Sequence, residues 1–274
     1  MSEQTPLIEL DSVGLALDGR AIVKNVSMQV FPGEVLALVG PNGAGKSSIL
    51  SVMAGDVRAT SGTATVGGKH VGKYRPGEAA RVRSVLMQSN QVSFPFTVQE
   101  VVEMGRAPWA RTPEVANDDA LIQDALRLAD VEHLVERRFN QLSGGEKARV
   151  SLARVLAQRT PVMLLDEPTA ALDLRHQESV MAAIRTFANA GCAVVVVLHD
   201  LSIAAGYADR IAIIVEGKLD AIGTPDEVIV ADRVSRVYGV DVDIESVGNP
   251  QRPVILPQRQ IPQRQIPQRQ IPQG

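Results

Sequence analysis

An unbroken apolar run, Val35–Val39, leads straight into Gly40-Pro41-Asn42-Gly43-Ala44-Gly45-Lys46-Ser47-Ser48. This junction limits the fold more than any other stretch. A continuous aliphatic run reads as a strand buried on both faces, which requires a parallel sheet covered by helices. The glycine-rich turn that follows fits G-x-x-x-x-G-K-[ST] and opens a helix predicted over Ser47–Ala54. Its glycines let backbone N–H groups converge on phosphates, and the helix adds the positive end of its dipole. Lys46 has the length to reach β- and γ-phosphates, and the Ser47 hydroxyl suits Mg²⁺. A nucleotide triphosphate with Mg²⁺ is therefore the expected ligand.

The core must be aliphatic, because 45% of residues are hydrophobic but only 3% aromatic. A net charge of −3 gives no electrostatic footprint for nucleic acid. The single cysteine, Cys192, excludes a disulfide within the chain and fits a reducing compartment as a small buried filler. MSEQTPLIEL does not read as a signal peptide, and runs such as Ala193–Leu198 are too short to span a bilayer. Any work at a membrane then needs a partner to hold the chain there.

Residues 7–31 alternate loosely around Asp18-Gly19 and predict antiparallel strands. Segments 62–66 and 83–87 read as further strands. From about 92 to 157 the texture becomes helical, and we expect a helical lobe inserted into the α/β core. Within it, Ala120, Leu121, Ala125, Leu128 and Ala129 are expected to share one side of a helix over 117–130. The core resumes with a strand at Val162–Leu165, a helix at Leu174–Ala190 and a strand at Ala193–Leu198. A short helix over 200–208 and a hairpin over 210–222 follow. Thr224-Pro225-Asp226-Glu227 is a helix start. Beyond about 257 the chain becomes IPQRQ repeats, a Pro/Gln composition expected to be extended or disordered.

A second anion-binding turn lies in the lobe. In Leu142-Ser143-Gly144-Gly145-Glu146, Ser143 caps a helix and the glycines expose N–H groups. Next comes VMLLDEP, which leaves Asp166 and Glu167 at the end of an apolar strand. Paired carboxylates there need a counter-charge, and Mg²⁺ supplies one. Asp166 would hold the metal and Glu167 would act as general base on the attacking water. His199 follows the next apolar strand, at the carboxyl end where open α/β sheets place ligands. It could bond the γ-phosphate. Gln88, after the strand ending at Met87, could join Ser47 and Asp166 on Mg²⁺.

Taken together, GPNGAGKSS, Gln88, LSGGE, VMLLDEP, Leu172-Asp173 and His199 resemble the nucleotide-binding subunits of ATP-binding cassette transporters over roughly residues 7–256. The resemblance implies a P-loop NTPase core with an antiparallel β-subdomain and the inserted helical lobe. It implies a head-to-tail homodimer, with ATP between the phosphate loop of one copy and Ser143, Gly144, Gly145 and Glu146 of the other. Asp173 would then communicate across the interface, and Leu17 would stand where relatives stack an aromatic on adenine. Residues 92–109 and FNQLSGGEKARVSLARVLAQ narrow the resemblance to importers of iron chelates and vitamin B12, nearest the haem-import ATPases. This implies integral membrane permease subunits as partners, a substrate-binding protein as an indirect one, and a peripheral position on the cytoplasmic face of the membrane. Three alternatives stay open: a ferric-siderophore or vitamin B12 importer, a soluble cassette ATPase, and a nucleotide sensor without turnover.

Overall fold

A computed structural model describes residues 5–87, 95–248 and 252–258. The chain begins with β1 (Ile8–Leu17) and β2 (Arg20–Val30), paired antiparallel around the Asp18-Gly19 turn. It then enters β3 (Val35–Val39), the phosphate loop and α1 (Lys46–Ala54). Next come β4 (Ser61–Val66), β5 (Lys69–His70), α2 (Pro76–Val82) and β6 (Arg83–Leu86). The lobe contributes α3 (Val98–Glu103), α4 (Asp118–Leu128) and α5 (Gly144–Gln158). The core resumes with β7 (Val162–Asp166), α6 (Leu174–Asn189), β8 (Ala193–Val197) and α7 (Leu201–Tyr207). It continues with β9 (Arg210–Val215), β10 (Lys218–Gly223), α8 (Pro225–Val228) and α9 (Ala231–Tyr238). A ribbon of β11 (Val242–Val247) and β12 (Arg252–Pro257) follows.

The main sheet has the order β10-β9-β3-β8-β7-β6, and only β10 runs antiparallel to its neighbour. All of β3, β7 and β8 is buried, yet period-two alternation still sorts their side chains. Val35, Ala37, Val194 and Val196 pack toward the lobe and α6. Leu36, Leu38, Val195 and Val197 pack on the other face, with α1 and the antiparallel sheet β2-β1-β4-β5. The sheet is thus covered on both sides, as its aliphatic runs demand.

Several expectations are corrected. The buried stripe of α4 is Ile122, Ala125, Leu126 and Ala129, while Ala120 is exposed. The true row follows i, i+3, i+4, i+7, and Ala120 and Leu121 sit one step before it. The helix begun at Thr224 has its capping box but stops at Val228. α2, α9 and the β11–β12 ribbon were not anticipated. Cys192 is buried before β8, as expected of a filler. Gln88 and the IPQRQ repeats lie outside the described residues.

One polar cluster ties the lobe to the core. Arg106, only 4% exposed, pairs with Asp118 at 2.7 Å and donates to the carbonyls of Ala157 and Gln158 at 3.0 and 3.3 Å. Trp109 Nε1–H donates to the Gln158 carbonyl at 2.8 Å. The Gln158 side chain in turn donates to the carbonyls of Ala80 and Arg83. The carboxyl end of α5 is therefore held from both sides. Arg106→Ala strands Asp118 and these carbonyls, and should lower stability by about 2 kcal/mol in denaturant unfolding. A loss under about 0.5 kcal/mol would show that water replaces the guanidinium freely.

Candidate functional site

The phosphate loop leaves β3 at Gly40, where φ is +141°. A β-carbon there would sit 2.1 Å from the Ile214 carbonyl oxygen on β9, so only glycine lets the loop pass. Gly45 caps α1 in the left-handed region, and no side chain bonds the first N–H groups of the helix. Those donors face a cavity of about 480 Å³ lined by residues 42–48 with Ile22, Glu167 and His199. The loop offers its backbone N–H groups to this cavity, as an anion cradle needs.

Lys46 is 5% exposed and folds back on its own loop. Its Nζ donates to the carbonyls of Gly40 and Pro41 at 2.8 and 2.9 Å. Burial holds its ammonium below the usual lysine range, against the pull of Glu167 and Asp166. Asp166, at the end of β7, is 3% exposed and accepts a hydrogen bond from the Ser47 hydroxyl at 3.1 Å. Burial raises its carboxyl above the ordinary range, and the Ser47 bond opposes this. A hydroxyl and a carboxylate brought together in a site short of positive charge are hard oxygen donors of the kind Mg²⁺ selects.

Glu167 follows with φ +51°, and its amide donates to the Val197 carbonyl at 3.2 Å. This turns its side chain toward the phosphate loop. His199 Nε2 lies 2.6 Å from Glu167 Oε1. An ionised carboxylate only accepts, so Nε2 carries the proton in this contact. The two residues form a dyad at the mouth of the cavity, with the His199 side chain 46% exposed. The structure therefore brings Glu167 and His199 together with the phosphate loop around one cavity.

The second turn sits elsewhere. Ser143 caps α5 in a full capping box: its Oγ accepts from the Glu146 amide at 3.3 Å, and its amide donates to Glu146 Oε2 at 2.7 Å. The Ser143 N–H holds the Glu146 carboxyl below the ordinary carboxylate range. Ser143, Gly145 and Glu146 line a separate cavity of about 350 Å³ with Arg149, Leu172, Asp173 and His176. Gly144 instead shares a third cavity with Asp166 and Glu167. A single copy therefore does not bring Ser143 to its own phosphate loop.

Sequence reasoning missed two residues. Leu17 is 47% exposed beside the β1–β2 turn, and the residue of that hairpin lining the phosphate cavity is Ile22. The irregular pairing between Leu15 and Ala16 leaves Ile22 without a register partner, so simple alternation does not reveal it. His176 had a visible signal, a capping spacing of three residues after Asp173.

The ABC transporter family profile matches residues 23–170. The Hemin import ATP-binding protein HmuV of Thermobifida fusca (strain YX) is 52% identical over 240 residues, which is 88% of this chain and 84% of that one. Among solved structures, a transporter described as of metal-chelate type, in an inward-facing conformation, superposes with a TM-score of 0.77 at 21% identity. That match covers 93% of this chain and 98% of the other. A bacterial ABC transporter cassette solved as a dimer gives a TM-score of 0.68 at 27% identity, covering 79% and 98%. With its phosphate loop, signature turn and Glu167–His199 dyad placed as described, the chain belongs to the ABC transporter family as an ATP-binding cassette.

Proposed function

We propose that this cassette hydrolyses ATP to drive haem import, working as a head-to-tail pair beneath membrane permease subunits. The observation that carries the pairing is the separation of the two anion-binding turns. Each chain offers a cradle with a base and a second turn whose Ser143 lines a different cavity. Two copies related by a two-fold axis can pair each cradle with the other's turn. A bacterial ABC transporter cassette of the same fold, solved as a dimer, supports a pair.

In this reading Lys46 leaves the Gly40 and Pro41 carbonyls for the β- and γ-phosphates of ATP. Ser47 and Asp166 would hold Mg²⁺, with Gln88, outside the described residues, as a further ligand. When bound, the ion supplies positive charge against the phosphates. Glu167 takes the proton of the attacking water, and His199 orients Glu167 and reaches the γ-phosphate. Ser143, Gly144 and Gly145 of the second copy close over the same phosphate, with Glu146 holding the turn. Aliphatic packing from the β1–β2 hairpin receives the adenine. Among the described residues no helix is long and apolar enough to cross a membrane. Permease subunits would therefore anchor the cassette at the cytoplasmic face, and a substrate-binding protein would deliver cargo.

Haem rests on the relatives' function, since an ATPase of this kind never touches cargo. The test is ATPase activity in liposomes carrying the permease, with a haem-loaded or a ferric-siderophore-loaded binding protein outside. Stimulation by the haem-loaded form alone is expected. Stimulation only by the siderophore form would keep the motor and replace the cargo. Stimulation by neither would overturn import of both classes.

A further inference from the structure

Asp173 caps α6, its Oδ1 accepting the His176 amide at 3.0 Å. The same oxygen lies 2.7 Å from His176 Nδ1. Since an ionised carboxylate cannot donate, Nδ1 carries the proton, and the cap grips the ring as well as the backbone. These bonds hold the Asp173 carboxyl below the ordinary range.

The other ring nitrogen faces the lobe. His176 Nε2 is 3.8 Å from Asp130 Oδ2, and that oxygen accepts from Arg149 Nη1 at 3.2 Å. Asp130 follows α4 in the left-handed region, with φ +54°. Arg149 is buried on α5, whose first turn carries Ser143. The Asp173–His176 and Asp130–Arg149 hydrogen bonds thus face each other across a 3.8 Å approach, between the Asp173 turn on the core and α5, the helix capped by Ser143, on the lobe. That approach is too long for a hydrogen bond, and it is an ion pair only when the ring carries both protons. Asp173, His176, Ser143 and Gly145 also wall one cavity. The charged groups around the ring are Asp173 from its own cap, Asp130 from beyond α4, and Arg149 and Glu146 from α5.

We propose that His176 is a positioning residue that fixes the Asp173 carboxylate and ties the Asp173 turn to the signature helix through Asp130 and Arg149, so that both elements meet a second copy as one preorganised surface. This rests on the head-to-tail pairing proposed above. A purely structural role explains less. The ring is 23% exposed, but its partners Asp173 and Asp130 are 67% and 51% exposed, so the contacts it makes add little to the core. Truncating it costs some packing and also releases two elements that must be ordered together for a second copy to close, and preorganisation is what such a contact supplies.

The test uses the full chain and the variants His176→Ala and His176→Asn. An asparagine can present an N–H to Asp173 much as Nδ1 does. Three measurements are needed: ATP turnover against ATP concentration, binding of a fluorescent ATP analogue to the dilute single chain, and ATP-dependent dimerisation in a Glu167→Gln background. His176→Ala should leave analogue binding unchanged, lower kcat about 10-fold or more, and weaken the dimer to a similar extent. His176→Asn restores only the bond to Asp173 and should recover part of both. If the alanine variant also melts early, the asparagine variant decides the matter, because recovered folding without recovered kcat or dimer defeats the proposal. Turnover of His176→Ala within about twofold of the parent would also overturn it. If the parent itself neither hydrolyses ATP nor pairs, the cassette reading fails, and the role of His176 falls with it.

Discussion

Glu167→Gln should bind ATP normally, lose at least about 100-fold in turnover, and accumulate as an ATP-bound dimer. The substitution keeps the size and hydrogen-bonding reach of the side chain but removes its ability to take a proton. Its neighbours explain why binding survives. The cradle is built from backbone and from Lys46 and Ser47, whose side chains hydrogen-bond to the Gly40 and Pro41 carbonyls and to Asp166. The amide bond from residue 167 to Val197 is a backbone contact and stays. His199 keeps an acceptor in the glutamine carbonyl oxygen. Turnover stops after closure, so the closed pair should elute as a dimer with ATP in size-exclusion chromatography. Near-normal phosphate release would remove Glu167 from its role as base. Loss of nucleotide binding would mean instead that the side chain holds the cradle together.

Lys46→Met should divide the protein's properties in the opposite way. ATP affinity should fall by roughly 10³-fold, because the one buried cation of the cradle is gone and the phosphates keep only backbone donors. The unliganded fold should not suffer. A lysine whose proton affinity falls on folding carries an electrostatic cost. That cost is fully present at neutral pH and fades only as pH rises through the folded-state value. Burial is the main cause here, so the charged group works against the fold. Methionine fills the same space without the charge, and water from the open cavity can take over the Gly40 and Pro41 carbonyls. The melting temperature without nucleotide should stay level or rise by up to about 4 °C. A clear fall would show that the two carbonyl bonds outweigh the desolvation of the ammonium.

The elements that sequence reasoning places well are those in which local pattern and burial agree. β3, β7 and β8 are aliphatic throughout because the sheet is covered on both faces, and α6 buries the stripe its spacing announces. The site is legible for the same reason: Gly40, Asp166, Glu167 and His199 stand at or just past the carboxyl ends of strands that can be read as strands, and Lys46 opens the helix after the first of them. The unread parts follow a different rule. β11 has one buried residue, so its alternation is too weak to see, and α9 buries only Val234 and Val237. Ile22 enters the phosphate cavity, and Leu17 does not, through the register of the β1–β2 hairpin, where irregular pairing breaks the simple alternation. The His176 contacts join segments far apart in sequence, and single-chain periodicity has no way to express them.

The anchoring of α5 has a mechanical consequence. Arg106 and Trp109 pin its carboxyl end to the lobe segment after α3, the Gln158 side chain pins it to the stretch from α2 to β6, and Ser143 caps the other end. A helix of this length spans about 22 Å, so a rotation of about 10° about the pinned end carries the Ser143 hydroxyl by about 4 Å. The pinned end acts as a fulcrum and the helix as a lever arm, and any push on the segment holding Arg106 arrives at the signature turn enlarged and sideways. Arg149 joins the lever in its second turn, near the swinging end, so even a modest tie there restrains the motion with the greatest leverage.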